Sequence, residues 1–175
     1  MIISSKNQGF SLIETLITLI VISIILSFTI PYFHQQMAKL ESNKIQNLLF
    51  SSIHLAKSNA SIRRNNIVIC SSIDNIKCQK NAWNSGILIF IDTNNNKQLD
   101  AEEQLIIHNA SQLKYGNLES RGTLSSPSIS FLAKHDGLPI GNNGSFYYCS
   151  NYDLPNKRIA LSKMGHVRIE DSKNC

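Results

Sequence analysis

The sequence predicts an α+β protein in which one long N-terminal helix lies across antiparallel β-sheets. Three observations predict it. Residues 15–38 form an uncharged, mostly apolar run. Residues 37–62 follow with apolar side chains recurring every three to five positions. Beyond them, short β-branched or aromatic stretches alternate with Asn, Gly, Ser and Pro. Recurrence near the helical period marks an amphipathic helix, and short runs bounded by turn residues mark antiparallel strands.

The first run contains 24 residues. As a helix it would extend about 36 Å, against a hydrocarbon core of about 30 Å. Thr18, Ser23, Ser27 and Thr29 interrupt it, and in a helix each hydroxyl bonds back to its own backbone. Pro31 is expected to bend or loosen the helix near its far end. Glu14 stands just before the run, and a lone acid beside a membrane-length segment calls for a partner. A cleaved secretory signal has a basic start, an apolar segment of about 7–15 residues and a small-residue cleavage site after it. Here the segment is longer and no such site follows, which leaves a simple single-pass anchor as the plain alternative.

In the second run Met37, Leu40, Ile45, Leu48, Leu49, Ile53, Ala56 and Ala60 are expected to bury against a sheet. Lys39, Glu41, Lys44, Gln46, Ser52, Lys57 and Arg63 lie between them, and Asn65-Asn66 reads as the helix end. Strands are expected at 67–70, 87–92, 104–108, 128–132, 145–149, 158–162 and 166–169. The turns between them fall at Asn94-Asn95-Asn96, His135-Asp136-Gly137, Asn142-Asn143-Gly144 and Met164-Gly165. Trp83 and Phe146-Tyr147-Tyr148 are expected to supply core.

With 42% hydrophobic and 17% charged residues the chain has the composition of a folded protein. The net charge of +5 permits attraction to anionic partners without identifying one. It is unevenly spread. Residues 157–168 hold Lys157, Arg158, Lys163 and Arg168 and no acid, whereas 92–103 hold four acids and one lysine.

Gly9-Phe10, Glu14 and the apolar helix resemble the class III signal of type IV pilins and type II secretion pseudopilins. The resemblance implies that a prepilin peptidase cuts after Gly9 and that Phe10 becomes a methylated N-terminal residue. Pro31 sits where many such pilins carry a helix-kinking proline. Cleavage would create an α-ammonium on Phe10, the natural partner for the Glu14 carboxylate in a low-dielectric setting. In the family that partner belongs to a neighbouring subunit. Four residues along a helix also put Glu14 on one face with its own Phe10 amine, so the pairing within one chain stays open.

Downstream, Ile67-Val68-Ile69-Cys70, Cys78, Trp83, Gly86 with residues 87–92, the Asn-rich turn, Asp100, Glu102-Glu103, Phe146-Tyr147-Tyr148-Cys149 and Ser162-Lys163-Met164-Gly165-His166-Val167-Arg168 follow in order. Together they resemble the FimT/FimU and GspH group of minor pilins and pseudopilins. The resemblance implies a pilin-like fold with a leader at 1–9, a transmembrane and assembly helix at 10–36 and a globular head at 37–175. It implies other major and minor pilins, the prepilin peptidase and an inner-membrane assembly platform as partners. The head would face the periplasm from a single pass of the bacterial inner membrane, later joining a surface pilus or a periplasmic pseudopilus. Its function would be that of a type IVa minor pilin for initiation or the tip, or that of a GspH-like pseudopilin of a type II secretion system.

Cys70, Cys78, Cys149 and Cys175 all lie outside the apolar run, and in an exported head they are expected to oxidise to two disulfides. Three connectivities are open. Cys70–Cys78, closing a small polar loop, and Cys149–Cys175, pinning the C-terminus, are preferred. No pair has the spacing of a zinc knuckle.

Two further constellations carry possible binding chemistry. Asp92, Asn94, Asn96, the Gln98 carbonyl, Asp100 and Glu103 fall on positions 1, 3, 5, 7, 9 and 12 of a twelve-residue calcium loop. Lys97 takes the place of the glycine such a loop uses for its sharp turn, and the flanks read as strands, so an ordinary polar hairpin without a metal or other cofactor is preferred. The second is basic. FimT-branch pilins that bind DNA during natural transformation resemble one another in a Gly-Arg-x-Arg motif near the C-terminus, matched here by Gly165-His166-Val167-Arg168. Gly165 and Arg168 agree; His166, mostly neutral at pH 7, stands for the first arginine. Lys157, Arg158 and Lys163 would extend a phosphate-contacting patch, or form a solvated strand face.

No Gly-rich phosphate loop, G-x-S-x-G elbow or H-E-x-x-H is present, and His34, His54, His108, His135 and His166 are scattered without ligand spacing. A catalytic role is not expected.

Overall fold

The computed structural model describes residues 11–74, 76–122, 124 and 127–175. It contains one 52-residue helix, α1 (Leu12–Arg63), and eight strands. These are β1 (Asn66–Ser71), β2 (Gly86–Asp92), β3 (Leu105–Ala110), β4 (Gly116–Gly122), β5 (Ser128–Phe131), β6 (Gly144–Ser150), β7 (Asn156–Leu161) and β8 (Val167–Ser172). They form two four-stranded sheets, ordered β3-β2-β1-β5 and β4-β6-β7-β8, in which every pairing is antiparallel.

Ser11 caps α1, its Oγ accepting the Glu14 N–H at 3.3 Å. The helix assignment continues through Pro31 without a break and stops where Arg64 turns left-handed at φ 53°. Its second half buries Ala38, Ser42, Ile45, Leu49, Ser52, Ile53, Ala56 and Ala60 against both sheets. Leu40, counted with the buried stripe in the sequence, is 61% exposed, because the stripe runs through Ala38, Ser42 and Ile45 instead.

β1 and β2 are buried on both sides, and alternation assigns the sides. Ile67, Ile69, Ile87, Ile89 and Ile91 face α1 and the main core, where Trp83 meets Phe146 edge-on at 4.8 Å. Val68, Cys70, Leu88 and Phe90 point the other way into a second cluster, covered by Cys78 and Leu99. The Cys70–Cys78 disulfide therefore closes the back of this sheet. Cys149–Cys175 ties the C-terminus to β6. Phe146 and Tyr148 are fully buried, while Tyr147 alternates to the outer face and is partly exposed.

β4 is absent from the strands read in the sequence. Its residues, Gly-Asn-Leu-Glu-Ser-Arg-Gly, include a single apolar side chain, Leu118, so no alternating pattern announces it. It forms because all seven residues pair with β6, from Gly116↔Ser150 to Gly122↔Gly144. As an edge strand it can remain polar on its outer side.

Candidate functional site

The N-terminal half of α1 is built to meet something other than its own chain. The apolar side chains from Leu12 to Phe33 that carry its bulk are exposed, and none of its most apolar 18-residue window is buried. The hydroxyls of Thr15, Thr18, Ser23 and Ser27 donate to carbonyls three residues earlier at 2.6–2.9 Å, and Thr29 donates to Ile25 at 2.8 Å. Each polar group is thereby satisfied inside the helix, leaving a surface suited to lipid or to other apolar helices. Glu14 is exposed at the first turn. Gly9 and Phe10, where processing and the amine partner were expected, lie outside the described residues.

Where this helix enters the head, Glu41 fastens it. Its carboxylate accepts the backbone N–H groups of Lys114 at 2.7 Å and Tyr115 at 3.0 Å and the Tyr148 hydroxyl at 2.9 Å. Burial, with the Glu41 carboxylate adding to it, pushes the Tyr148 phenol well above its ordinary range. Beside this junction His34 stacks on Tyr152, with ring centroids 6.1 Å apart. In the sequence Glu41 stands among the polar positions between the apolar ones. Its spacing of three from Ala38 and four from Ile45 was the signal that it shares their face.

At the C-terminal end, β7 and β8 meet in a turn over Ser162, Lys163, Met164 and Gly165. Ser162 N–H donates to the His166 carbonyl at 3.0 Å, and Gly165 N–H to the Ser162 carbonyl at 2.9 Å. Gly165 has φ 72°, and a Cβ there would meet Lys57 Cδ at 3.3 Å, so the turn packs onto α1 through a position that favours glycine. Arg158, His166 and Arg168 line one shallow depression of about 280 Å³, with Ser145 on its wall. The acids missing from 157–168 come from β8. Register sets Glu170 opposite Arg158 and Asp171 opposite Lys157. Glu170 takes Arg168 Nε at 3.0 Å and faces Arg158 Nη1 at 3.8 Å, and Asp171 pairs with Lys157. Lys163 is exposed in the turn.

The Asn-rich segment connects β2 to β3 as a hairpin. Thr93 N–H and hydroxyl donate to Glu103 Oε1 at 2.8 and 3.1 Å, and Asp100 N–H donates to Oε2 at 3.2 Å, closing the loop at its neck. Burial pushes the Asp92 carboxyl above the usual carboxylate range, opposed by the backbone N–H of Lys97. Among the described residues no three His, Cys, Asp or Glu side chains come together as a metal cluster.

Set beside known proteins, residues 46–165 match the family model described as Type II transport protein GspH. The chain belongs to the GspH family. Residues 4–30 of this GspH-family chain match a second model, the prokaryotic N-terminal methylation motif, which spans Gly9, Phe10 and Glu14. Two solved structures share the fold. One is the crystal structure of the type IV minor pilin FimU of Pseudomonas aeruginosa, at 15% identity and TM-score 0.52, covering 78% of this chain and 92% of that one. The other is the minor pseudopilin EpsH from the Type 2 Secretion System of Vibrio cholerae, at 8% identity and TM-score 0.53, covering 77% and 99%. No curated protein sequence matches. The long helix on two antiparallel sheets is thus the pilin fold, and the GspH match takes in the head from mid-helix to Gly165.

Proposed function

We propose that this chain is a minor pilin of the FimT/FimU kind, a structural subunit for initiation or the tip of a type IVa pilus. The observation that carries the reading is the continuity of α1 from an exposed apolar half into a half buried against both sheets. Such a helix holds the head on a membrane before assembly and offers the same apolar surface to neighbouring subunits afterwards. On this reading residues 1–9 are a leader removed by the prepilin peptidase, and Phe10 carries the methylated amine. Residues 10–36 span the inner membrane, the head at 37–175 is periplasmic, and Glu14 meets the amine of a neighbouring subunit. The match to the methylation motif supports this account of the N-terminus. Mass spectrometry of sheared surface fibres and of membranes tests it. N-methylated Phe10 in the fibre fraction is the expected result; a chain still beginning at Met1 contradicts it.

The GspH match also favours a second reading, a pseudopilin of a type II secretion system. Deletion then abolishes protein secretion and leaves surface fibres intact, whereas deletion of a pilus subunit does the reverse.

A contribution to DNA uptake rests on the depression shared by Arg158, His166 and Arg168. Glu170, ion-paired with both arginines, offsets part of its charge, so the binding expected is weak and steeply salt-dependent. Retardation of DNA by the detergent-solubilised chain at low salt, lost with Arg168→Ala, supports this role, and no retardation at low salt ends it.

A further inference from the structure

The head touches α1 inside the stretch read as the membrane span. His34 lies within residues 10–36, yet its ring is partly buried against two tyrosines of the head, with centroids 6.1 Å from both Tyr115 and Tyr152. The two tyrosine rings lie 5.8 Å apart, and their segments are tied together by the Asn151 N–H, which donates to the Tyr115 carbonyl at 2.9 Å. The Tyr115 N–H is held by Glu41, seven positions beyond His34, while its ring reaches back along α1 to His34. The rim made by the segment before β4 and the loop between β6 and β7 is therefore aimed along the helix toward the apolar run.

Helix rise converts these positions into depths. α1 continues through Pro31 without a break. From Leu12 to His34 it advances about 33 Å, against a hydrocarbon core of about 30 Å and a bilayer of about 40–45 Å with its headgroups. With Leu12 at one edge of the hydrocarbon, the opposite edge falls at about Tyr32, and His34 lies in the headgroup layer. A tilt of about 20° shortens the advance to about 31 Å, which brings His34 only closer to the hydrocarbon.

The chemistry of the rim fits that depth. Tyr32 and Phe33 on α1 are 63% and 55% exposed, and Tyr115 and Tyr152 keep part of their surface exposed. Aromatic rings with a polar tip favour the layer between hydrocarbon and water. The exposed cation of Lys114 is opposed by exposed Asp153 in the 151–155 loop, so the rings rather than net charge are what suit this rim to lipid.

We propose that the Tyr115 and Tyr152 rim is seated in the headgroup layer of the membrane, so that the head lies against lipid before it enters a fibre. The proposal rests on the reading of α1 as a membrane span. Helix and rim together then fix how the head is presented to a neighbouring subunit, whereas the helix alone would leave it free to tilt.

Fluorescence of the full chain in phosphatidylcholine vesicles tests the contact. Trp83 is 1% exposed in the core and gives the reference signal outside the membrane. Tyr152→Trp adds a reporter at the rim, and Ile22→Trp, at an exposed position, adds one in the middle of the span. Lipids brominated either near the headgroup or near the chain ends serve as quenchers. Tyr152→Trp should be quenched about twofold more by the shallow bromine than by the deep, and Ile22→Trp about twofold more by the deep. Quenching of Ile22→Trp alone overturns the rim contact and leaves the span standing; quenching of neither overturns both. Photolabelling of the unmutated chain by a lipid with a diazirine beside its glycerol keeps the test independent of how the variants fold. Labels on 113–115 and 151–155 as well as on the apolar run are expected, and labels confined to the apolar run overturn the proposal.

Discussion

The hydroxyl of Tyr148, from the middle of β6, donates to Glu41 of α1 across 2.9 Å, joining residues 107 positions apart in the chain. With the Lys114 and Tyr115 N–H groups on the same carboxylate, this contact fixes where the helix leaves the head. Glu41→Ala leaves two backbone donors and a buried phenol without their acceptor. It should destabilise the head by about 2–3 kcal/mol, read from urea unfolding.

The same contact makes stability depend on alkaline pH. The folded state raises the Tyr148 pKa, so it holds the phenolic proton more tightly than the unfolded chain does. The contribution is therefore complete below the unfolded value of about 10 and is lost as pH climbs from there through the folded value. Tyr148→Phe should remove that part of the alkaline loss and cost about 1 kcal/mol at neutral pH. Identical wild-type and variant slopes above pH 10 would contradict the assignment.

Glu14→Ala should leave cleavage after Gly9 unchanged and reduce incorporation into fibres at least tenfold, measured by immunoblot of sheared material against membranes. Glu14 is exposed in the first turn of α1, and on the proposed reading its carboxylate meets the amine of a neighbouring subunit. Normal incorporation of the variant would end that role.

Replacing Cys149 and Cys175 together by serine should cost about 3 kcal/mol, since the disulfide closes a loop with sequence separation 26. The loss should appear as a lower urea midpoint with a steeper slope, because the unfolded chain expands without the bond, and a midpoint equal to that of the oxidised wild type would show that the bond contributes nothing.

Glu170 sits between Arg158 and Arg168 and cancels charge that phosphate would otherwise meet. If the basic turn contacts DNA, Glu170→Gln should increase retardation about threefold at low salt and steepen its salt dependence by about one phosphate contact. Unchanged affinity would separate this face from DNA.

Much of this protein is determined by its sequence alone. The membrane-length apolar run, the buried half-helix, seven of the strands and the turns at Asn95, Asp136 and Gly165 follow from periodicities of two and 3.6 and from residues that tolerate positive φ. Those signals are local, so neighbouring residues carry them. Only the tertiary structure decided the rest. β4 exists through pairing with β6, Glu41 is an anchor because β6 and the residues before β4 bring donors to it, and Lys157 and Arg158 of β7 meet β8 acids in register with them. The Asn-rich loop shows the division most clearly. A calcium-loop spacing is legible in order along twelve residues, yet the folded hairpin spends those groups on itself, Glu103 closing the neck and Asn94 and Asn96 donating to Asp100.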